Sequence, residues 1–228
     1  MKTRNIFPLL HLAVLLSFGF TAVSFSSIVG SPHDLTWRPD VVEQNDEVCI
    51  YCHSPHVEDI TIIADYNPLW SGDVQTSTTF TPYTSATMDA DMTVDPLVGP
   101  TRLCISCHDG TIAIDSALAA SPGTRFIVPP RNIGGIIGGG PNQRLGNSLD
   151  RDHPVGFDYI AAAADDDGIQ PATTGFANGT IADFLFTSGT EEIMTCATCH
   201  DVHEWGPGRM FLHVDNTGST LCLNCHIK

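Results

Sequence analysis

The stretch Cys49-Ile50-Tyr51-Cys52-His53 is the first of four Cys-x-x-Cys-His motifs in this chain. The other copies begin at Cys104, Cys196 and Cys222, and the four motifs together use all eight cysteines of the 228 residues. This spacing is typical of c-type haem attachment, in which the two thiols bond to the haem vinyl groups. The histidine of each motif then offers an imidazole nitrogen to the iron. The sequence therefore predicts four covalently bound haem c groups.

Twelve residues follow from this interpretation. The attachment cysteines are Cys49, Cys52, Cys104, Cys107, Cys196, Cys199, Cys222 and Cys225, and the proximal iron ligands are His53, His108, His200 and His226. A Cys-x-x-Cys pair alone could also be half of a zinc ribbon, a redox pair or part of a disulfide framework. The histidine after every pair favours haem, because those alternatives do not need a histidine at that position.

The histidines outside the motifs are the candidates for the sixth iron ligand. Four of them recur in the same order in both halves of the chain, and we predict that they are the distal ligands: His33, His56, His153 and His203. His213 has no counterpart in the first half. Four closed bis-histidine sites predict low-spin, low-potential haems that transfer electrons, so we expect no enzyme activity.

His56 and His203 each follow a proximal histidine by three residues. The two axial ligands of one iron lie on opposite faces of the porphyrin, so a histidine this close in sequence would have to bend around the porphyrin edge. We therefore expect both to bind the iron of a different motif. We also expect short helices to carry the motifs, which would place His203 one helical turn after His200.

The motifs form two similar halves, at about residues 31–120 and 150–228. Each half has a leading histidine, a motif with a second histidine three residues on, and a motif without one. With 15 prolines and 20 glycines, the sequence predicts one loop-rich domain over residues 27–228, mostly irregular, with short α-helices and little β structure. The haems of this multihaem c-type cytochrome would be its core.

Residues 1–26 have a basic start, an apolar stretch and then small residues, which predicts a cleaved signal peptide; a membrane anchor is the alternative. Haem c is attached outside the cytoplasmic membrane, so we expect a secreted protein, or alternatively a periplasmic one, with no stable membrane span after cleavage. The net charge of −16 excludes nucleic acid as an expected partner.

Several longer stretches carry a resemblance to a known family. They are Gly30-Ser31-Pro32-His33-Asp34-Leu35, the Cys-x-x-Cys-His-Ser-Pro-His run of residues 49–56, Pro68-Leu69-Trp70, and the Leu-Cys-x-x-Cys-His-Asp-Gly-Thr-Ile-Ala run of residues 103–113. Together they resemble the tetrahaem extracellular cytochrome nanowires of the OmcE type. The resemblance implies bis-histidine haems in alternating stacked and T-shaped pairs. It also implies a head-to-tail homopolymer in which one iron takes a histidine from the next subunit, with His33 as the candidate donor.

The partners expected on this basis are other copies of the chain, redox proteins and extracellular electron acceptors. A monomeric periplasmic electron shuttle is the main alternative. Two further alternatives are a membrane-anchored quinol dehydrogenase and a reductase of small nitrogen or sulfur species. The first would keep its N-terminal helix, and the second would need an open iron.

Overall fold

The computed structural model describes residues 28–35, 48–53, 66, 68–70, 74, 80–92, 95, 97–110, 144–206 and 209–228. The predicted signal peptide (residues 1–26) and His56 lie outside the described residues. Within them, no helix is both long and apolar enough to cross a membrane.

Short elements separated by loops and turns make up the described part of the chain. The helices α1–α4 are Pro100–His108, Tyr159–Asp165, Cys196–Cys199 and Thr220–Cys225. The strands β1–β4 are Gly175–Phe176, Gly179–Thr180, Phe186–Ser188 and Glu191–Ile193, and three 3₁₀ helices span Val48–Tyr51, Ile181–Phe184 and Thr217–Ser219. The longest helix among the described residues, α1, has nine residues. The prediction of a loop-rich chain with short helices and little sheet is confirmed for the described residues.

Helix α1 begins at a backbone position that only glycine occupies without strain. Gly99 precedes the helix with a φ of 56°, and Pro100 follows as the first helical residue. A Cβ atom at Gly99 would lie 2.6 Å from the ring of Phe186 in β3. The helix then buries Leu103 and Ile105 on different sides, in two separate apolar clusters. These features fix α1, which carries the second motif, against the hairpin of the second half.

Helix α2 is capped by Asp158, whose carboxylate accepts hydrogen bonds from the backbone N–H groups of Ile160 and Ala161 at 2.9 and 3.4 Å. The first residue of the helix, Tyr159, is 2% exposed. Its hydroxyl donates to the backbone carbonyl of Gln170 at 2.8 Å. This cap and this buried phenol hold α2 against the following loop.

Strands β3 and β4 form an antiparallel hairpin in which Phe186 pairs with Ile193. The two-residue turn between them contains Gly189 with a φ of 64°, as hairpin turns require. Ile193 is fully buried, and its backbone also bridges to Asp158, just before α2. The hairpin therefore lies beside the start of α2, and its second strand ends three residues before the third motif begins at Cys196.

The buried apolar side chains of the described residues form three separate clusters rather than one core. The clusters are Phe157, Tyr159, Ala162, Ala172, Phe176, Ile181 and Met194; then Phe80, Leu97, Ile105 and Leu149; and then Val74 and Leu103. Cys225 of the fourth motif packs against the first cluster. Such divided packing is compatible with haems that complete the core, which stays a prediction.

Candidate functional site

Each Cys-x-x-Cys-His motif sits on a short helix, as expected. The first motif overlaps the 3₁₀ helix Val48–Tyr51, the second ends α1, the third begins with α3 and the fourth closes α4. In the first, third and fourth motifs, the histidine N–H donates to the carbonyl of the first cysteine. These bonds are 2.8 Å for His53, 3.1 Å for His200 and 2.9 Å for His226. One helical turn thus holds both thiols on the same side, as two thioether bonds to one haem require.

The prediction that His203 follows His200 by one helical turn is wrong. Helix α3 ends at Cys199, and His200 has extended backbone angles, with φ −113° and ψ 135°. The backbone of His200 forms a bridge with Leu212 instead of continuing the helix. His203 therefore lies in the loop beyond this bridge, outside the helix that carries the third motif.

The second and third motifs are in direct contact. The thiol of Cys104 donates a hydrogen bond to the sulfur of Cys196, which raises the pKa of Cys104 and lowers that of Cys196. The backbone N–H of Cys196 also donates to the hydroxyl of Thr101 in α1, at 3.2 Å. Thr101 is fully buried. A threonine one turn before the second motif thus positions the start of the third, a role that the motif spacing does not reveal.

The first motif lies near the second, and the fourth motif lies near the third. Burial, followed by the charge of Cys52, raises the pKa of Cys107 to about 12. Burial, followed by the charge of Cys225, raises the pKa of Cys199 to about 12 as well. Each perturbation requires the two thiols to lie near each other. The four motifs are therefore neighbours in space in the same order as in the sequence, from the first to the fourth.

Three proximal histidines each lie beside one of the predicted distal histidines. Iron–imidazole bonds of about 2 Å, with each ring centre roughly 1 Å beyond its nitrogen, would separate the two ring centres by about 6 Å. The three observed pairs have this separation. They are His33 and His108 at 6.1 Å, His53 and His203 at 6.0 Å, and His153 and His226 at 6.3 Å.

The pairing follows the duplication of the sequence. In each half, the leading histidine, His33 or His153, lies beside the second motif of that half. His203, in the second half, meets His53 in the first. Among the described residues, no histidine ring forms a pair of this kind with His200. The side chains that could bind metal meet in pairs, and the described part of the chain has no group of three or more of them.

Backbone carbonyls orient two of these imidazoles. The Nδ1 atom of His53 lies 2.7 Å from the carbonyl oxygen of Pro68, and that of His153 lies 2.9 Å from the carbonyl oxygen of Pro154. A carbonyl can only accept, so Nδ1 carries the proton and donates it. The lone pair of each ring then resides on Nε2, the tautomer needed for an iron ligand.

His33 is held differently. Its Nδ1 atom is buried without a hydrogen-bond partner, and its ring lies 4.6 Å from that of Phe211. Burial, followed by the charges of His108 and His200, lowers the pKa of His33 to about 4. The imidazole is therefore neutral at physiological pH, which is the form that binds a metal. A buried, neutral imidazole beside the proximal His108 fits a site that haem iron would complete.

The geometry gives His213 a structural role. Its Nε2 atom donates to the carbonyl oxygen of Ala197, inside the third motif, at 3.0 Å, and its ring lies 4.6 Å from that of Phe184. Its backbone N–H donates to the carbonyl oxygen of Cys199 at 3.0 Å. His213 thus stabilises the backbone of α3, the helix that carries the attachment cysteines of the third motif. No sequence signal could have shown this, because the contact depends on the fold.

Comparison with known families gives one match. Residues 189–228 match the family described as the doubled CXXCH motif, and this segment contains the third and fourth motifs. The search of curated proteins finds no match. A doubled motif of this kind indicates a multihaem c-type cytochrome, which binds haem c covalently and transfers electrons.

Proposed function

We propose that this protein is an extracellular tetrahaem cytochrome that polymerises head to tail into a conductive filament. The electron-transfer part rests chiefly on one observation, the three histidine pairs whose ring centres are 6.0 to 6.3 Å apart. Haem c supplies reversible one-electron chemistry when bound. The three histidine pairs would hold an iron from both faces and would leave it no position for a substrate, which supports a role without catalysis.

The order of the motifs supports a conduit. Cys52 adjoins Cys107, Cys104 contacts Cys196, and Cys199 adjoins Cys225. Haems attached to these cysteines would form a series from the first motif to the fourth. A series with one site at each end suits a protein that passes electrons along its length and on to a neighbour.

We propose His56 as the distal ligand that pairs with His200. His203, which corresponds to His56 in the duplicated arrangement, lies beside His53. The reciprocal pairing would place His56, in the first half, beside His200 in the second. All four irons would then have two histidine ligands.

The filament part of the proposal concerns the N-terminal arm, residues 28–35. The arm is a compact turn in which the N–H of Gly30 donates to the carboxylate of Asp34 at 2.7 Å and Ser31 is buried. In a single chain the arm places His33 beside its own His108, which supports His33 as the distal ligand of the second motif. In the filament the arm would be exchanged, so that each subunit makes the same contact with the next one.

The test uses holoprotein purified from the medium of a strain with haem-maturation machinery. Mass and haem content should show four covalent haems, and the near-infrared spectrum should show bis-histidine ligation. Electron microscopy should show filaments. A charge-transfer band typical of methionine ligation on most haems would overturn the bis-histidine ligation on which this proposal rests.

A matched pair of variants tests the filament. His33→Ala and His153→Ala each remove one distal ligand, but only His33 lies in the arm. We expect His33→Ala to keep four haems and lose filaments, while His153→Ala keeps both. Filaments in both variants would contradict arm exchange. Discrete particles in the wild type would favour the alternative, a monomeric periplasmic shuttle with the same ligation.

A further inference from the structure

We propose that Asp201 is a positioning residue that lowers the reduction potential of the haem on the first motif, acting through His203. Asp201 directly follows His200, the proximal histidine of the third motif. From its sequence position alone, one would expect it to influence the haem of the third motif rather than that of the first. The inference rests on the proposed function, because it takes His53 and His203 as the two ligands of one iron.

The carboxylate of Asp201 is held next to the imidazole of His203. Its Oδ1 atom accepts the backbone N–H of His203 at 2.8 Å and lies 3.3 Å from the Nδ1 atom of the same residue. The backbone of Asp201 is fixed in turn, because its N–H donates to the carbonyl of Phe211 at 2.7 Å. This turn of residues 201–203 keeps the negative charge of Asp201 beside Nδ1 of the His203 ring, on the side away from Nε2, which would bind the iron.

The ring on the other side of the proposed iron has a neutral partner. His53 donates from Nδ1 to the carbonyl oxygen of Pro68 at 2.7 Å, and its ring lies at 15° to that of His203. The hydrogen bond from Nδ1 gives His53 the tautomer that binds iron through Nε2. Asp201 places a full negative charge beside the His203 ring, whereas the carbonyl of Pro68 places only a dipole beside the His53 ring.

The three distal histidines that the structure describes each have a different environment at Nδ1. His203 faces the carboxylate of Asp201, His153 faces the carbonyl oxygen of Pro154, and Nδ1 of His33 is buried without a partner. A carboxylate that accepts the Nδ1 proton makes the imidazole more basic, and a more basic ligand stabilises Fe(III) over Fe(II). These differences would give the haems different potentials despite identical bis-histidine ligation.

The expected shift follows from the strength of such contacts. Loss of an outer hydrogen-bond partner typically changes metal affinity by 10- to 100-fold. The side chains of Asp201 and His203 are 30% and 51% exposed, so screening by water favours the lower figure. A tenfold loss of preference for Fe(III) corresponds to about 59 mV for a one-electron couple. Asp201→Asn should raise the potential of one haem in four by about this amount.

The experiment is a spectroelectrochemical titration of holoprotein variants. Asp215→Asn is the matched control, because it removes the same charge from a carboxylate that hydrogen-bonds within its own loop to Thr217. Asp201→Ser is a second neutral variant, since a serine hydroxyl can still accept the backbone N–H of His203. We expect a positive shift of one haem in Asp201→Asn and Asp201→Ser, with four low-spin haems retained, and no such shift in Asp215→Asn.

Two outcomes separate this inference from the proposed function. If the wild type lacks bis-histidine spectra, the proposed function fails before Asp201 is tested. If the wild type has those spectra but the Asp201 variants titrate like Asp215→Asn, only the inference fails. A His203→Ala background gives the final check, because the effect of Asp201→Asn should disappear there. A shift that persists without His203 would mean that Asp201 acts as a distant charge.

Discussion

Replacing His203 by alanine should open the iron of the first motif, although His203 lies next to the third motif in the sequence. The two rings of the pair are 6.0 Å apart, and alanine removes the whole distal ring while His53 remains. One haem of the four would become five-coordinate and high-spin. We therefore expect the variant to bind one carbon monoxide per chain, where the wild type binds none.

The location of the opened site can be found by removing its attachment cysteines. A Cys49→Ser and Cys52→Ser double variant should carry three low-spin haems. Adding His203→Ala to that background should create no carbon monoxide site, because the iron that we expect His203 to bind is already absent. The assay is titration of the reduced protein with carbon monoxide, followed in the Soret band.

One result would refute the assignment of His203 to the iron of the first motif. If His203→Ala still adds one carbon monoxide site when the first haem is missing, then His203 binds a different iron. The observed 6.0 Å pair would then be a packing contact rather than a ligand pair. His213→Ala is the control for nonspecific disturbance, because His213 donates to the carbonyl of Ala197 and should not open any iron.

Two substitutions away from the irons test the packing. Tyr159→Phe removes the donor to the carbonyl oxygen of Gln170, so the free energy of unfolding should fall by about 1 kcal/mol in guanidinium titrations. Burial raises the pKa of Tyr159, so the wild type should lose stability as the pH rises above about 10, and the variant should lose less; equal losses would contradict this. Gly99→Ala should destabilise by more than about 1 kcal/mol, because its Cβ would meet the ring of Phe186 at 2.6 Å. Gly146→Ala, at a φ of 71° with nothing within 4 Å, should cost less; a similar loss in both would show that backbone strain dominates over the clash.

The sequence predicted the short helices of the motifs well, because the attachment spacing is itself one helical turn. Helix α3 begins at Cys196 and ends at Cys199. The last turn of α4 contains Cys222 and ends at Cys225. The loop-rich fold also followed from the many prolines and glycines. These features are local, so a single sequence is sufficient to predict them.

The pairing of histidines could be predicted only in part. His203 follows His200 by only three residues, and this short spacing alone predicts that it binds the iron of another motif. The identity of its partner, His53, depends on how the two halves pack. The expected helical turn between His200 and His203 is wrong because a bridge between His200 and Leu212 ends the helix, and Leu212 is distant in sequence.

Supporting residues were the hardest to predict. Thr101 accepts the N–H of Cys196 across 95 positions of sequence, and His213 reaches the carbonyl of Ala197 from outside the motif. Neither residue belongs to a motif, and both act through tertiary contacts. The resemblance suggests His33 as a donor to a neighbour, whereas in one chain it lies beside His108. Exchange of the arm would satisfy both arrangements.

A cryo-EM map of the holoprotein at side-chain resolution would test the pairing of the histidines. We expect iron between His33 and His108, between His53 and His203, and between His153 and His226. The arm of residues 28–35 should come from the adjacent subunit wherever the protein forms filaments. A map in which His203 binds the iron of any motif other than the first would contradict this pairing.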